Sequence, residues 1–261
     1  MNRIYSAFEN KKAFIGFLTA GDPDLQTTEN CIMEMEKAGA DLIEIGIPFS
    51  DPIAEGSVIQ AANVRALKSG TNLNKIFELV KTVRKKTNIP LVFLTYINPV
   101  FNYGYDKFFK TCSETGIDGI ITPDLPYEEK EEIIKFSEKY EVPSISLIAP
   151  TSKERIKSIA KNSKGFIYLV SSMGVTGMRS EITTDLTSIV KLIRETSNTP
   201  IAIGFGINTP VQAVKYSQIA DGVIVGSAIV NIIGKYGKNA PSYVYDYVKT
   251  MKDSINKPMF K

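Results

Sequence analysis

Eight short apolar, β-branched runs punctuate the sequence, and each is followed by a longer segment whose apolar residues recur every three or four positions. The runs lie at residues 14–19 (FIGFLT), 41–46 (DLIEIG), 90–95 (PLVFLT), 118–122 (DGIIT), 143–148 (PSISLI), 165–170 (GFIYLV), 200–204 (PIAIG) and 221–225 (DGVIV). Between them fall segments such as LQTTENCIMEMEKAG, LNKIFELVKTVRKK, YEEKEEIIKFSEKY and TDLTSIVKLIRETS, apolar on one face and charged on the other. Parallel strands covered on both faces and joined by crossover helices read this way.

The runs also repeat in how they begin. Three open on a proline (Pro90, Pro143, Pro200) and three on an aspartate (Asp41, Asp118, Asp221), the prolines on odd-numbered runs and the aspartates on even-numbered ones. Successive prolines stand 53 and 57 residues apart, a period of two βα units, as expected when odd and even strands fill alternate layers of a barrel. Eight βα units in 261 residues predict a single (β/α)8 TIM barrel. An open doubly wound sheet is the alternative, but no GxGxxG follows the first strand. The expected domain spans residues 1–256, with an extra N-terminal helix before the first strand and 257–261 as a loose tail. Strand starts are 49 residues apart after strand two and 35 after strand six, against 21 to 28 elsewhere, so long loops follow those two strands. Such loops lie on the C-terminal face, where barrel enzymes place their active sites.

Composition narrows the chemistry. The chain has no histidine, which excludes Ser-His-Asp and Cys-His nucleophiles, an imidazole base and a histidine-held metal. A formal charge of +3 is too slight to imply nucleic acid or anionic lipid as the main partner. Cys31 and Cys112 fit neither a zinc spacing nor a disulfide scaffold, and the N-terminus lacks a signal-peptide core, so a reducing, cytoplasmic setting is expected.

Three glycine-bearing segments converge at one corner of such a barrel: GVTG after strand six, GFG (Gly204–Gly206) after strand seven, and Gly226-Ser227 opening a short apolar helix after strand eight. Backbone N–H groups and a helix N-terminus there predict a phosphorylated ligand. Within strand two, Glu44 shares a face with Leu42 and Gly46 and points either into the barrel or at a helix. Desolvation would raise its pKa toward neutrality, as a general base or proton shuttle needs. The competing role is a structural ion pair, although no basic residue occurs inside any of the eight strands. The following loop, IPFSDPIAEGSVIQAA, carries Asp51, with the local sequence of a turn or cap, and Glu55, the better second carboxylate or else an exposed loop charge. Without a strand-end lysine or histidine ligands, carbon–carbon cleavage would need a substrate with its own electron sink.

Taken together, FLTAGDP (17–23), DLIEIGIPFSDPIAEG (41–56), LTYINPVFNYG (94–104), ITPDLPYEE (121–129), YLVSSMGVTG (168–177), GFGI (204–207) and ADGVIVGSAIV (220–230) resemble the tryptophan synthase alpha chain family. The resemblance runs over essentially residues 1–256. It implies a carbon–carbon lyase of tryptophan biosynthesis that cleaves indole-3-glycerol phosphate to indole and glyceraldehyde 3-phosphate, with the indole ring as electron sink. It further implies that Glu44 is the general acid/base, and that Glu55 stands where the family has an aspartate that stabilises charge at the indole nitrogen. By the same resemblance Phe17, Leu94 and Tyr96 line the indole pocket and Tyr168 supports Glu44. Thr176, Gly177, Gly204, Gly206, Gly226 and Ser227 surround the phosphate, with residues 173–182, including Arg179, as a lid. Ser57, where the family commonly has proline, loosens the Glu55 segment. The implied partner is a tryptophan synthase beta chain in an alpha2beta2 assembly, contacted through the loops after strands two and six. Pyridoxal phosphate then belongs to that partner, and no cofactor to this chain. The rival readings are another phosphate-binding barrel, such as a phosphoribosylanthranilate isomerase or an indole-glycerol-phosphate synthase, and a non-catalytic activator of the beta chain.

Overall fold

The computed structural model describes residues 2–171 and 185–256. Eight parallel strands, β1 (Ala13–Thr19), β2 (Leu42–Gly46), β3 (Leu91–Leu94), β4 (Gly119–Ile121), β5 (Ser146–Ile148), β6 (Ile167–Val170), β7 (Ile201–Gly204) and β8 (Gly222–Val225), pair in the order β4-β3-β2-β1-β8-β7-β6-β5. An isolated pairing of Ile120 with Ser144 joins the two end strands, which makes the sheet a nearly closed (β/α)8 barrel. Each strand falls where the sequence predicts it, with ends shifted by at most three residues.

Eleven helices lie around it among the described residues: α1 (Leu25–Lys37), α2 (Ser57–Lys68), α3 (Leu73–Arg84), α4 (Ile97–Tyr103), α5 (Tyr105–Thr115), α6 (Glu131–Lys139), α7 (Lys153–Lys161), α8 (Leu186–Arg194), α9 (Pro210–Ile219), α10 (Ser227–Tyr236) and α11 (Ala240–Asn256). The expected N-terminal helix is a short 3-10 turn, Arg3–Ala7, whose Ile4 and Ala7 pack with Ala13, Ile145 and Phe166 and plug the lower end of the barrel. One expectation changes: the long loop after β2 is a loop only to Gly56, and α2 begins at Ser57. Ile59, Ala62 and Ala66 give α2 a buried stripe at helical spacing, which the reading of this stretch as loop overlooked. No helix among the described residues is long and apolar enough to cross a membrane.

The alternation of proline and aspartate has a hydrogen-bonding cause. Each aspartate donates its backbone N–H to the preceding strand and takes an N–H back on its carboxylate. Asp41 exchanges these two bonds with Phe14, Asp118 with Leu91, and Asp221 with Ile201. Each proline, with no N–H to give, contributes only its carbonyl: Ile43, Ile120 and Ile167 donate to Pro90, Pro143 and Pro200 in turn. Aspartates therefore staple β1 to β2, β3 to β4 and β7 to β8, while proline carbonyls link β2 to β3, β4 to β5 and β6 to β7. Every staple also meets a cation: Asp41 pairs with Lys252 (2.6 Å) and Lys11 (2.8 Å), Asp118 with Arg84 (2.6 Å) and Arg3 (2.8 Å), and Asp221 with Arg194. Lys252 thereby docks α11 against the barrel floor.

The Asp118 staple is the most deeply set of those held by arginine, with Arg84 only 10% exposed. Asp118→Ala is expected to destabilise the fold by about 3–5 kcal/mol, because it strands a buried guanidinium as well as the Leu91 N–H. Lys81→Ala, which breaks the exposed Lys81–Glu78 pair, should leave the urea unfolding midpoint unchanged. Comparing the two midpoints checks both expectations.

Candidate active site

At the upper mouth of the barrel a largely apolar pocket contains two carboxylates, Glu44 and Glu55, and no lysine or arginine among its described lining residues. Leu42, one residue pair below Glu44, packs in the barrel interior with Ile15, Val92 and Ile121, so strand alternation brings Glu44 inward too. Its neighbour in register on β1 is Phe17 and on β3 is Val92. Glu44 is 1% exposed, and its Oε1 has no hydrogen-bond partner among the described residues. Burial alone pushes the carboxyl up to about 8. The ion pair that was the competing role for Glu44 is not found among the described residues.

Glu55 is held differently. The loop from β2 carries it to the start of α2, where the Asn63 amide donates to its Oε2 at 2.6 Å. The Tyr96 hydroxyl lies close enough to favour the charged form of the same carboxylate. Burial nevertheless dominates and pushes Glu55 up to about 7, with Asn63 and Tyr96 pulling the other way. Glu55 is buried, not an exposed loop charge, at 7% exposure. Asp51 is exposed and takes a hydrogen bond from the neighbouring Ser50 hydroxyl, a local turn contact outside the pocket lining.

Phe17, Leu94, Tyr96 and Tyr168 all line the pocket. Phe17 fits because Gly46 has no side chain: a Cβ there would stand 2.7 Å from Phe17 Cζ. Tyr96 sits immediately before α4, whose first N–H, that of Ile97, is taken by the Asp124 carboxylate at 3.0 and 3.1 Å. Its hydroxyl receives the Ala54 N–H at 3.0 Å, and its ring lies 5.3 Å from that of Phe49. Tyr168 rises beside Glu44, and burial, reinforced by that carboxylate, holds its phenol well above the usual tyrosine range.

The glycine corner divides. Gly206, Gly226 and Ser227 line the pocket, and no side chain caps the N-terminus of α10 at Gly226, which leaves that helix end available to an anion. Gly204 instead ends β7 against the Tyr168 ring, where a Cβ would meet the hydroxyl oxygen at 2.4 Å. Thr176, Gly177, Arg179 and the expected lid at 173–182 lie outside the described residues.

Sequence reasoning passed over two contributors. Phe205, inside the quoted GFG, lines the pocket with a left-handed backbone (φ 71°), its carbonyl held by the Ser171 hydroxyl at 2.6 Å and its ring edge-on to Tyr168. Asn63 was legible only with α2 recognised as a helix, since eight residues separate it from Glu55. Cys31 and Cys112 are buried in α1 and α5, away from strand ends, and burial raises both thiols, Cys31 to about 12. No cluster of three or more metal-ligating side chains occurs among the described residues.

Known proteins match this chain over nearly its full length. The family model for the tryptophan synthase alpha chain covers residues 5–257. The tryptophan synthase alpha chain of Lacticaseibacillus casei is 47% identical over 256 residues, which cover 98% of this chain and 96% of that protein. That of Thermoanaerobacter pseudethanolicus is 50% identical, covering 98% and 100%. Among solved structures, the alpha chain from Legionella pneumophila superposes with a TM-score of 0.88 at 34% identity, covering 98% of each chain. A chain of the tryptophan synthase complex from Pyrococcus furiosus gives 0.85 at 36% identity, covering 92% of this chain and 98% of that one. The fold, the paired carboxylates over an apolar pocket and these full-length likenesses agree: the chain belongs to the tryptophan synthase alpha chain family.

Proposed function

We propose that this chain is a carbon–carbon lyase that cleaves indole-3-glycerol phosphate to indole and glyceraldehyde 3-phosphate. The observation that carries the reading is the pair of buried carboxylates, both raised toward neutrality, facing one apolar pocket. The apolar walls of Phe17, Leu94 and Tyr96 suit an indole ring, and the N-terminus of α10 with Gly206, Gly226 and Ser227 suits a phosphate.

In the proposed cycle Glu44 begins neutral, the form that burial favours at pH 7. It gives its proton to indole C3, which places positive charge on the ring nitrogen, and the Glu55 carboxylate stabilises that charge. Glu44, now ionised, takes the proton of the glycerol hydroxyl beside the ring. The hydroxyl oxygen becomes the aldehyde carbonyl, the carbon–carbon bond breaks, and its electron pair returns to the ring and neutralises the nitrogen. Glu44 ends as it began, protonated, so the pair needs no other acid or base. The buried thiols in α1 and α5 give no support to an isomerase that works through a strand-end cysteine.

The partner in this reading is a beta chain carrying pyridoxal phosphate, which would take up the indole in an alpha2beta2 assembly. Supporting it, Ile53 beyond β2 and Phe101 on α4 stand 74% and 65% exposed beside the mouth, and solved relatives from Pyrococcus furiosus include tryptophan synthase complexes. Incubation of the purified chain with indole-3-glycerol phosphate, alone and with a beta chain, tests the whole reading: indole release is expected, and none in either case would overturn it. Stimulation of the beta chain without cleavage would favour a non-catalytic activator.

Two expectations follow from the carboxylates. Glu44→Gln should lower kcat by at least about a hundredfold. It should also stabilise the fold at high pH, because the cost of burying the Glu44 charge is absent below about pH 4.5, grows above it and is complete near pH 8. The thermal midpoint of Glu44→Gln should therefore exceed that of the parent by several degrees at pH 8.5 and match it near pH 5. The second expectation is a bell-shaped pH dependence of kcat/KM, falling below about 7 as Glu55 is neutralised and above about 8 as Glu44 loses its proton. A rate still rising above pH 8.5 would mean that Glu44 enters the reaction as a base only.

A further inference from the structure

The Glu55 carboxylate is gripped by a helix rather than carried on a free loop. Asn63 on α2 donates its amide to Oε2 at 2.6 Å, and Gln60, one turn earlier, donates its amide to the Glu55 backbone carbonyl at 2.8 Å. The helix is itself fixed from two sides. Arg65 makes a two-pronged pair with the buried Asp22 at 2.7 and 2.7 Å, while Ile59 and Ala62 pack against Phe17 and Val230. Asn63 is 3% exposed, so its amide is not free to follow solvent. No cation stands within ion-pair distance of Glu55 among the described residues. Among the described residues its carboxylate takes its hydrogen bond from a neutral donor, the Asn63 amide.

We infer that Asn63 is the positioning residue of the second carboxylate: it fixes where Glu55 presents its charge and donates to the charged form. An amide suits the task because it donates at every pH and cannot take the charge away, whereas a lysine or arginine in its place would neutralise the carboxylate needed opposite the substrate ring. A glutamate side chain is one methylene longer than an aspartate and has more rotamers to lose, so a fixed donor on a rigid helix contributes more to its placement. The inference rests on Glu55 serving as the charge-stabilising carboxylate of the proposed cleavage, and its test has one arm that needs no turnover.

In the first arm, the Glu55 carboxyl of the full-length protein is titrated by carbon-13 NMR of side-chain-labelled glutamate, assigned with Glu55→Gln. Asn63→Ala should move the Glu55 midpoint upward from about 7 by about one pH unit, because a hydrogen bond to the charged form is lost while burial remains. The nearly isosteric Asn63→Asp, which keeps the packing but sets a second carboxyl there, should move it at least as far. In the second arm, Asn63→Ala is compared in the parent and in Glu55→Gln. A loss of kcat/KM of at least about tenfold at pH 7 in the parent, against less than about twofold in Glu55→Gln, is expected if Asn63 acts through Glu55. Equal losses in both backgrounds, or an unmoved Glu55 midpoint, would overturn the inference. A parent chain that releases no indole would defeat the proposed function, and the titration would still decide the role of Asn63.

Discussion

A carboxyl group in the wall of a barrel, walled in by aliphatic and aromatic side chains, is costly to ionise, and the molecule is arranged around the one at Glu44. It is 1% exposed, its Oε1 has no hydrogen-bond partner among the described residues, and burial pushes its pKa up. The carboxylates at the opposite end of the same strands behave otherwise. Asp41, Asp118 and Asp221 each accept a strand N–H and each meet at least one lysine or arginine. The floor of the barrel thus uses carboxylates as satisfied staples, and the mouth keeps two of them without a cation among the described residues. This division follows the usual polarity of such barrels, in which one face carries stability and the other the chemistry. It also means that the floor supports a strand that would gain stability by losing its glutamate.

The same contrast explains how the pocket can be both shaped and reactive. Gly46 yields its side-chain space to Phe17, and Gly204 yields its space to Tyr168, so the aromatic walls close around Glu44 without giving its Oε1 a hydrogen-bond partner among the described residues. Glu55 sits at the rim with the neutral Asn63 donor on its carboxylate, which favours the charged form, whereas burial is the one influence on Glu44. Environments that push two neighbouring carboxyls apart in this order make one the proton carrier and the other the fixed charge.

Much of this was legible in the residues. The eight strands and the Pro and Asp starts pointed to the barrel, and the shared face of Glu44, Leu42 and Gly46 was legible, but that this face turns inward is shown only by the packing of Leu42 in the barrel interior. The meaning of the aspartates was not legible, because their partners, Phe14, Leu91 and Ile201, lie 20 to 27 residues earlier and only the closed sheet brings them together. Nor was α2. Its start at Ser57 follows Gly56, which offers no side-chain cap, so the local signals favoured loop, and with the helix went its hold on Glu55 through Asn63 and Gln60. Gly204 carried a third ambiguity: a glycine ending a strand can serve an anion or a neighbouring ring, and only packing decides between them.

The most direct measurement is the titration of the Glu44 carboxyl itself, followed by infrared difference spectroscopy of the protonated carbonyl stretch and assigned with Glu44→Gln. A carbonyl band that persists at neutral pH and disappears with a midpoint near 8 is the predicted result. A band already gone near pH 4.5, the ordinary range of a glutamate, would show that the barrel ionises Glu44 freely and would contradict its role as the proton carrier.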